Sequence, residues 1–403
     1  MAPITMNTAL VSNAAGLYKT AYDSAETEVK TLAAALDADW GCAGSDSAAR
    51  TWASSYDPAA FEAVAAGTDI VNAFGKLHDL LAFTAVNHSN VEKQNKQPPE
   101  TPDPDPTVLP ATTAPTFKGA FGGATDPPFG WEMISSWLEG HTWPNGDPDK
   151  LRKLGTAWRT AATGLRRASS GTDQGWIDLE ELESDELPQA LAQMDIVFTG
   201  VEDVATQYEN LGRACDDWAD QIEEAHRKLL AILAGALGVA IIAGVVVGFF
   251  TGGTGATVTT GASASGAASL AITVLVGFEA TAAALTGVTV AVGTAAIGVA
   301  TELQPLLEAS PTQFNADTKG GGNQQHYVTP PKDLKGFPNA KPTKRMGRRK
   351  SWKDDEGNTY EWDYQHGAVE KYNKNGKHLG EYDAETGAQT KPGDSTRKPQ
   401  WKK

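Results

Sequence analysis

The sequence predicts a multidomain chain: α-helical hairpins forming an N-terminal bundle, then an apolar helical hairpin, then a small C-terminal twisted antiparallel β-sheet. Three observations predict it. Apolar residues recur at helical spacing through most of the first 228 residues. A nearly charge-free stretch follows. The last segment changes period, to short β-rich runs separated by turn residues. The 403 residues are enough for about two to four domains.

The first unit, residues 1–95, carries helical spacing from Asn7 to about Glu92, as in Ala33, Ala34 and Leu36, then Val71, Phe74, Leu77 and Leu81. The run Asp39 to Asp46, containing Trp40-Gly41, interrupts it and reads as a turn between two helices. Residues 96–128 are rich in Pro, Thr and Asp without periodicity, the composition of a linker.

Residues 129–228 form a second helical unit. Asp149-Lys150-Leu151 opens a helix carrying Leu154, Trp158, Ala161 and Leu165, a loop follows from Ser169 to Asp178, and a second helix spans Leu187 to about Lys228. The segment Trp137 to Asp149 is dense in turn formers and aromatics, and His141 within it has no companion cluster, so a packed, capped turn before the helix is expected.

Residues 229–302 form the apolar segment, and from Leu229 to Thr301 the one ionisable side chain is Glu279. The 22 uncharged residues Leu229 to Phe250 are long enough to cross a bilayer, and Ser269 to Ala300 can return. Membrane insertion through this hairpin is the expectation; a buried pair of small-residue helices fits the same composition. Residues 303–340 are a second linker, with Gly320-Gly321-Gly322 followed by Pro330, Pro331 and Pro338.

The final domain, residues 341–403, opens on a basic cluster that includes Arg348, Arg349 and Lys350. Strand-like runs Ser351-Trp352-Lys353, Thr359 to Trp362, Val369 to Tyr372 and His378 to Tyr382 alternate with turn residues, among them Asn375-Gly376, a specific hairpin signal. Trp352 and Trp362 are expected to pack rather than stack on a ligand.

Charge divides the chain in the same place. Residues 318–403 hold 18 Lys and Arg against 11 Asp and Glu, while the preceding 317 residues hold 16 against 39. An acidic body with a basic tail suits a protein whose tail alone meets a polyanion such as nucleic acid. Cys42 and Cys215 stand far apart, which indicates neither a disulfide framework nor a Cys-based metal site, and no cofactor motif appears. The N-terminus lacks the basic start and apolar run of a cleavable signal peptide, so export is expected by a non-classical route.

Cleaving RNA without a metal requires a base for the ribose 2′-hydroxyl, an acid for the leaving 5′-oxygen, and positive charge for the phosphorane. Asp363, His366 and Glu370 span a strand end, a turn and the next strand, so a hairpin can gather them on one face. Spacing alone fits solvated surface groups equally well.

The ordered run Tyr360 to Tyr372, then His378 to Asp383, then Thr386-Gly387 and a tail with Arg397, resembles the cytotoxic domain of the colicins that cleave 16S ribosomal RNA. The resemblance runs over roughly Arg349 to Lys398 and implies an endoribonuclease that cuts at the ribosomal decoding site. It implies Glu370 as general base, His366 as general acid, Asp363 as the group that orients and charges His366, and Arg397 as stabiliser of the phosphorane. Tyr372, His378 and Lys391 would contact substrate, with Arg348, Arg349 and Lys350 attracting phosphate. Ala368 departs from the pattern, which carries an acidic residue there.

The Trp40-Gly41 turn resembles the Trp-x-Gly substrates of type VII secretion, with Cys42 where the motif glycine would stand. Tyr22 to Glu26 fits the Tyr-xxx-Asp/Glu export pattern by letter, and Trp137 to Asp149 resembles the pre-toxin region of actinobacterial polymorphic toxins. These likenesses imply a toxin secreted by a type VII-like route and acting in the cytoplasm of target bacteria. They imply as partners the ribosome with its 16S RNA, a cognate acidic immunity protein, and a secretion apparatus or helical chaperone partner. The rival expectation is a membrane-anchored surface or adhesion protein with a polyanion-binding tail.

Overall fold

A computed structural model describes residues 6–182, 184, 187–237, 264–310, 330–343, 349–364, 366–395 and 397–399. The N-terminal hairpin consists of α1 (Thr8–Ala38) and α2 (Ser47–Asn95). Asn7 and Asp46 cap them, each side-chain oxygen accepting from backbone N–H groups of the first turn. The expected turn holds Trp40 at the surface, 44% exposed beneath the Lys118 ammonium, and Cys42 inside. The Pro-rich segment 96–128 has almost no regular structure, as its composition predicts, but it does not swing free. It lies as a strap against the hairpin: Tyr22 donates to the Pro110 carbonyl, Asn72 pairs both ways with the Thr112 backbone, and Asp57 accepts from Ala120 N.

After a single turn of helix, α3 (Glu132–Ser135), the second unit contains α4 (Pro148–Ser170), α5 (Asp173–Glu180) and α6 (Leu187–Leu237). Asp147 caps α4, and His141 pairs with Glu279 rather than with any cluster, so the segment is the packed turn expected. Two expectations change. The loop from Ser169 to Asp178 contains α5, whose Trp176 is fully buried. And α6 continues through Lys228 to Leu237, because Leu229 onward offers neither Gly-Pro punctuation nor a capping group to stop it.

The apolar hairpin is only partly visible: residues 238–263 lie outside the described residues. Its second arm is α7 (Ala264–Glu308), which buries Ala271, Leu275, Phe278, Ala282, Thr289, Val292, Ala296, Val299, Leu303 and Leu306. That spacing of three and four is one helical stripe, and it packs on α2 and α6. The opposite side leaves Leu270, Val276, Val290 and Ile297 exposed. Among the described residues α7 is the one helix long and apolar enough to cross a membrane, with 29% of its most apolar window buried. Glu279, the acid within its apolar stretch, accepts from Ser47 Oγ at 2.5 Å.

Aromatics lock these layers together. Trp52 of α2 stacks on Tyr56 and on Trp218 of α6, and Trp218 stacks on Phe278 of α7. Each such ring removes roughly 150–250 Å² from water. Cys42 and Cys215 are both buried and unbridged.

The tail forms a six-stranded antiparallel meander among the described residues: β1 (Lys341–Pro342), β2 (Ser351–Lys353), β3 (Thr359–Asp363), β4 (Ala368–Tyr372), β5 (His378–Asp383) and β6 (Gln389–Pro392), in sequence order across the sheet. The Asn375-Gly376 turn falls where expected, with Gly376 at φ +77°. Strand alternation sorts the two faces. Trp352, Tyr360, Trp362, Val369 and Tyr382 take one face, where Phe337 packs on Tyr360 and Tyr382. Trp352 and Trp362 are buried, as expected of packing residues. The other face carries Glu361, Asp363, Glu370, Tyr372, His378 and Glu381.

Candidate active site on the polar face of the sheet

Register places Glu361, Glu370 and Glu381 directly opposite one another on β3, β4 and β5. All three are buried. Like charges opposed on neighbouring strands are destabilising, so this row needs a cation for each member. Arg349 supplies positive potential to Glu361, Arg397 and His378 reach Glu370, and Lys391 Nζ lies 2.8 Å from Glu381.

Asp363 ends β3 and His366 follows on a tight turn, closed by Gly367 at φ +65°, whose N–H donates to the Asp363 carbonyl. The positive φ suits glycine there and lets the chain reverse within four residues. Asp363 then accepts twice from the next residue of the site: from His366 N at 3.0 Å and from His366 Nδ1 at 3.0 Å. Nδ1 therefore carries its hydrogen toward Asp363, which leaves Nε2 to hold a transferable proton. The bond to Asp363 raises the imidazole above its ordinary value against partial desolvation. Burial alone would lift the Asp363 carboxyl, but the His366 bond and the Arg349 guanidinium hold it well below the usual carboxylate range.

Glu370 is fully buried on β4. One oxygen accepts from His378 Nε2 at 2.6 Å, and the other pairs with Arg397. His378 Nδ1 in turn accepts from Asp394 N at 2.9 Å, which fixes the hydrogen on Nε2. Burial opposes ionisation of Glu370, and His378, Arg397 and Arg349 together overcome it and keep the carboxyl below its ordinary value. Tyr372 packs its ring 5.0 Å from His378.

The four residues expected to carry catalysis thus share one face. Of the expected substrate contacts, Tyr372 and His378 belong to the same cluster, but His378 is buried and acts on Glu370 instead of meeting solvent. Lys391 is engaged with Glu381. Arg349 is almost enclosed, its side chain 10% exposed, beside the site carboxylates. Lys350 is not at the site: its ammonium reaches the Pro331 carbonyl and lies over Trp352 on the aromatic face. Arg348 lies outside the described residues.

One site residue was not legible from the sequence. Glu381 Oε2 is 3.6 Å from His366 Nδ1, and its carboxylate is held by Thr390 Oγ1 and Lys391 Nζ. A Glu beside a Tyr on a strand reads as solvated; only the register, shifted at Lys371/Tyr372 and again at Glu381/Tyr382, carries it inside. It brings a buried carboxylate to the site in a chain where Ala368 lacks one. Asp363, His366 and Glu381 also offer ligand atoms within 4.8 Å of one another, the one such group of three among the described residues. Lys391 already neutralises Glu381 there, which weakens the group as a cation site.

Residues 328–400 match the family model described as Cytotoxic, and residues 125–268 match the WXG100 like domain. The second match covers the α4–α6 unit, and the Trp40-Gly41 turn lies before it. Colicin E3 of Escherichia coli is 39% identical over 88 residues, 20% of this chain and 16% of that protein. Outer membrane channel protein CpnT of Mycobacterium tuberculosis is 30% identical over 241 residues, 58% of this chain and 28% of that protein. The putative NAD(+)–arginine ADP-ribosyltransferase Mav of Mycobacterium avium is 28% identical over 176 residues, 43% of this chain and 21% of that protein. The chain spans less than a third of the length of each of these relatives.

Proposed function

We propose that the chain is a secreted antibacterial toxin whose tail is a metal-independent endoribonuclease cutting 16S ribosomal RNA at the decoding site. The observation that carries this reading is a paired acid and base on one sheet face, Asp363–His366 beside a Glu370 clamped by His378 and Arg397, within the segment that matches the cytotoxic family.

Glu370 takes the proton of the ribose 2′-hydroxyl as that oxygen attacks phosphorus. The phosphorus–5′-oxygen bond breaks, and His366 Nε2 protonates the departing oxygen, leaving a 2′,3′-cyclic phosphate and a 5′-hydroxyl. Arg397 stabilises the phosphorane. Its pairing with Glu370 in the free protein is itself part of the chemistry: His378 holds Glu370 acidic with help from Arg397 and Arg349, and a phosphate that draws Arg397 away removes one of those charges, so the carboxylate becomes a stronger base once substrate is present.

The matches to CpnT and Mav are longer than the tail and so extend into the helical body. We read that body as a carrier shared by proteins of different activities, exported by a type VII-like apparatus or with a helical partner. The carrier brings the tail to the cytoplasm of target bacteria, with the exposed apolar side of α7 available for membrane insertion. A cognate acidic immunity protein protects the producer.

The test adds residues 318–403 to intact ribosomes and maps RNA ends. A single cut in small-subunit RNA, lost in Glu370→Gln by about 10²–10⁴-fold, is the expected result. Intact RNA, or cleavage indifferent to that substitution, overturns the reading.

A further inference from the structure

One surface of the helical body is unaccounted for by a carrier role. Along α6, Asp195, Phe198, Thr199, Glu202, Thr206 and Glu209 follow one another at helical spacing, so they form one stripe, with Asp203 beside it. This stripe faces the polar side of the sheet. Arg349 reaches Asp195 at 3.9 Å, with both side chains nearly enclosed, Lys398 reaches Glu209 at 4.0 Å, and Asp203 feels the Arg397 guanidinium. Arg166 of α4 pairs with Glu202 and Glu209, so four carboxylates and one guanidinium meet the three cations Arg349, Arg397 and Lys398 with near balance. A second contact anchors the docking: Tyr364, at the end of β3, packs edge-on against Trp176 of α5 and donates to Glu180 at 3.2 Å.

The space left between the two is a cleft of about 70 Å³, lined from the body by Glu202 and Asp203 and from the tail by Glu361, Tyr372 and Arg397. Pockets that bind small ligands begin near roughly 300 Å³, so no nucleotide enters this one. Arg397 is the cation assigned to the phosphorane, and Arg349 was expected to draw phosphate. Both are turned toward carboxylates of α6 or of the site itself.

We propose that the acidic stripe of α6 is a binding surface for the catalytic face of the chain's own tail, standing where RNA phosphates would lie. The identity of the displaced ligand rests on the ribonuclease reading; the surface itself does not. Delivery thus proceeds with the site covered, and cleavage requires the tail to leave α6. Apart from the Trp176–Tyr364 anchor the contact runs through charged side chains, so it opens without unfolding either partner, and its more exposed pair, Lys398 with Glu209, weakens as salt rises.

The test uses the full 403-residue chain. Binding of a short 2′-O-methylated RNA, which resists cleavage, is followed by fluorescence anisotropy alongside cleavage of ribosomal RNA. The expected result is that Asp195→Lys with Glu202→Lys strengthens RNA binding and speeds cleavage at least tenfold over the unaltered chain. Equal binding by both chains overturns the proposal, as does an unaltered chain that cuts ribosomes as fast as the variant. Binding that rises without any cleavage supports the surface and sinks the ribonuclease reading. Should that variant lose its helical melting transition, Glu209→Lys decides the matter. Alone it raises binding severalfold, and combined with Lys398→Glu it returns to the unaltered level; a swap that fails to restore latency counts against the surface.

Discussion

In the proposed cleavage Glu370 and His366 hold opposite ends of the proton transfer, and their surroundings push them apart in opposite directions. Glu370 works as base only when ionised, and its carboxyl lies below 4.5; His366 works as acid only when protonated, and its imidazole lies above 6.5. For the tail, kcat/KM against pH should therefore form a plateau reaching below pH 4.5 on one side and above 6.5 on the other. Glu381→Gln removes a carboxylate 3.6 Å from His366 and should draw the alkaline limb downward; an alkaline limb that stays in place denies Glu381 that role. Asp363 and His366 write a stability signature. Asp363, with its folded value depressed, contributes stability present above 3.8 and lost as pH falls through the folded value; His366, with its folded value raised, contributes stability complete below 6.5 and lost as pH rises through it. Thermal melting of the tail should peak between those limits. The cluster of Asp363, His366 and Glu381 invites a further check. Cleavage should persist in excess EDTA, and a loss restored by a divalent cation would make the cluster a metal centre. The site was half legible from sequence: the trio and Arg397 emerge from motif order. His378 emerges too, though as a substrate contact and not as a partner of Glu370, and Glu381 does not, because their burial depends on bulges that no local pattern announces.

Among the elements, the strands of the tail were the most readable, since turn residues such as Asn375-Gly376 and Thr386-Gly387 mark where the β-formers start and stop, though not the register shifts between strands. Helices were readable in kind but not in extent. α5 hides where Gly175-Trp176 reads as turn chemistry, and its helix forms because Trp176 is buried in the body and against Tyr364. α7 carries two readings at once, a stripe buried on α2 and α6 and an apolar reverse side. Its docking is specific enough to test. Ala282 is fully buried in the stripe, so Ala282→Leu should cost about 1–3 kcal/mol by overpacking. That should lower the melting temperature of the body by roughly 2–4 °C per kcal/mol. No change would mean that α7 does not occupy this groove in solution.

At the scale of the whole molecule, the charge division visible in sequence becomes a contact: an acidic body holds a basic tail through side chains. Cooperative melting of body and tail as one unit would need an extensive apolar interface, and here charged side chains supply much of the contact, with Trp176 on Tyr364 as an aromatic anchor. Calorimetry of the full chain should accordingly show two transitions, with the one belonging to the tail moving toward that of residues 318–403 as salt is raised. A single salt-insensitive transition would contradict this picture. The sheet adds a mechanical consequence. In a meander whose neighbours follow the order of the chain, a pull on the C-terminal end loads the rungs between β6 and β5 one after another, as a zipper is drawn, and never all together in shear. Lys391 and Arg397 sit on that last strand and just beyond it. A tail threaded end-first would shed the cations that pair with Glu381 and Glu370 with the first few rungs, and would regain them only when the final strand closes on the far side.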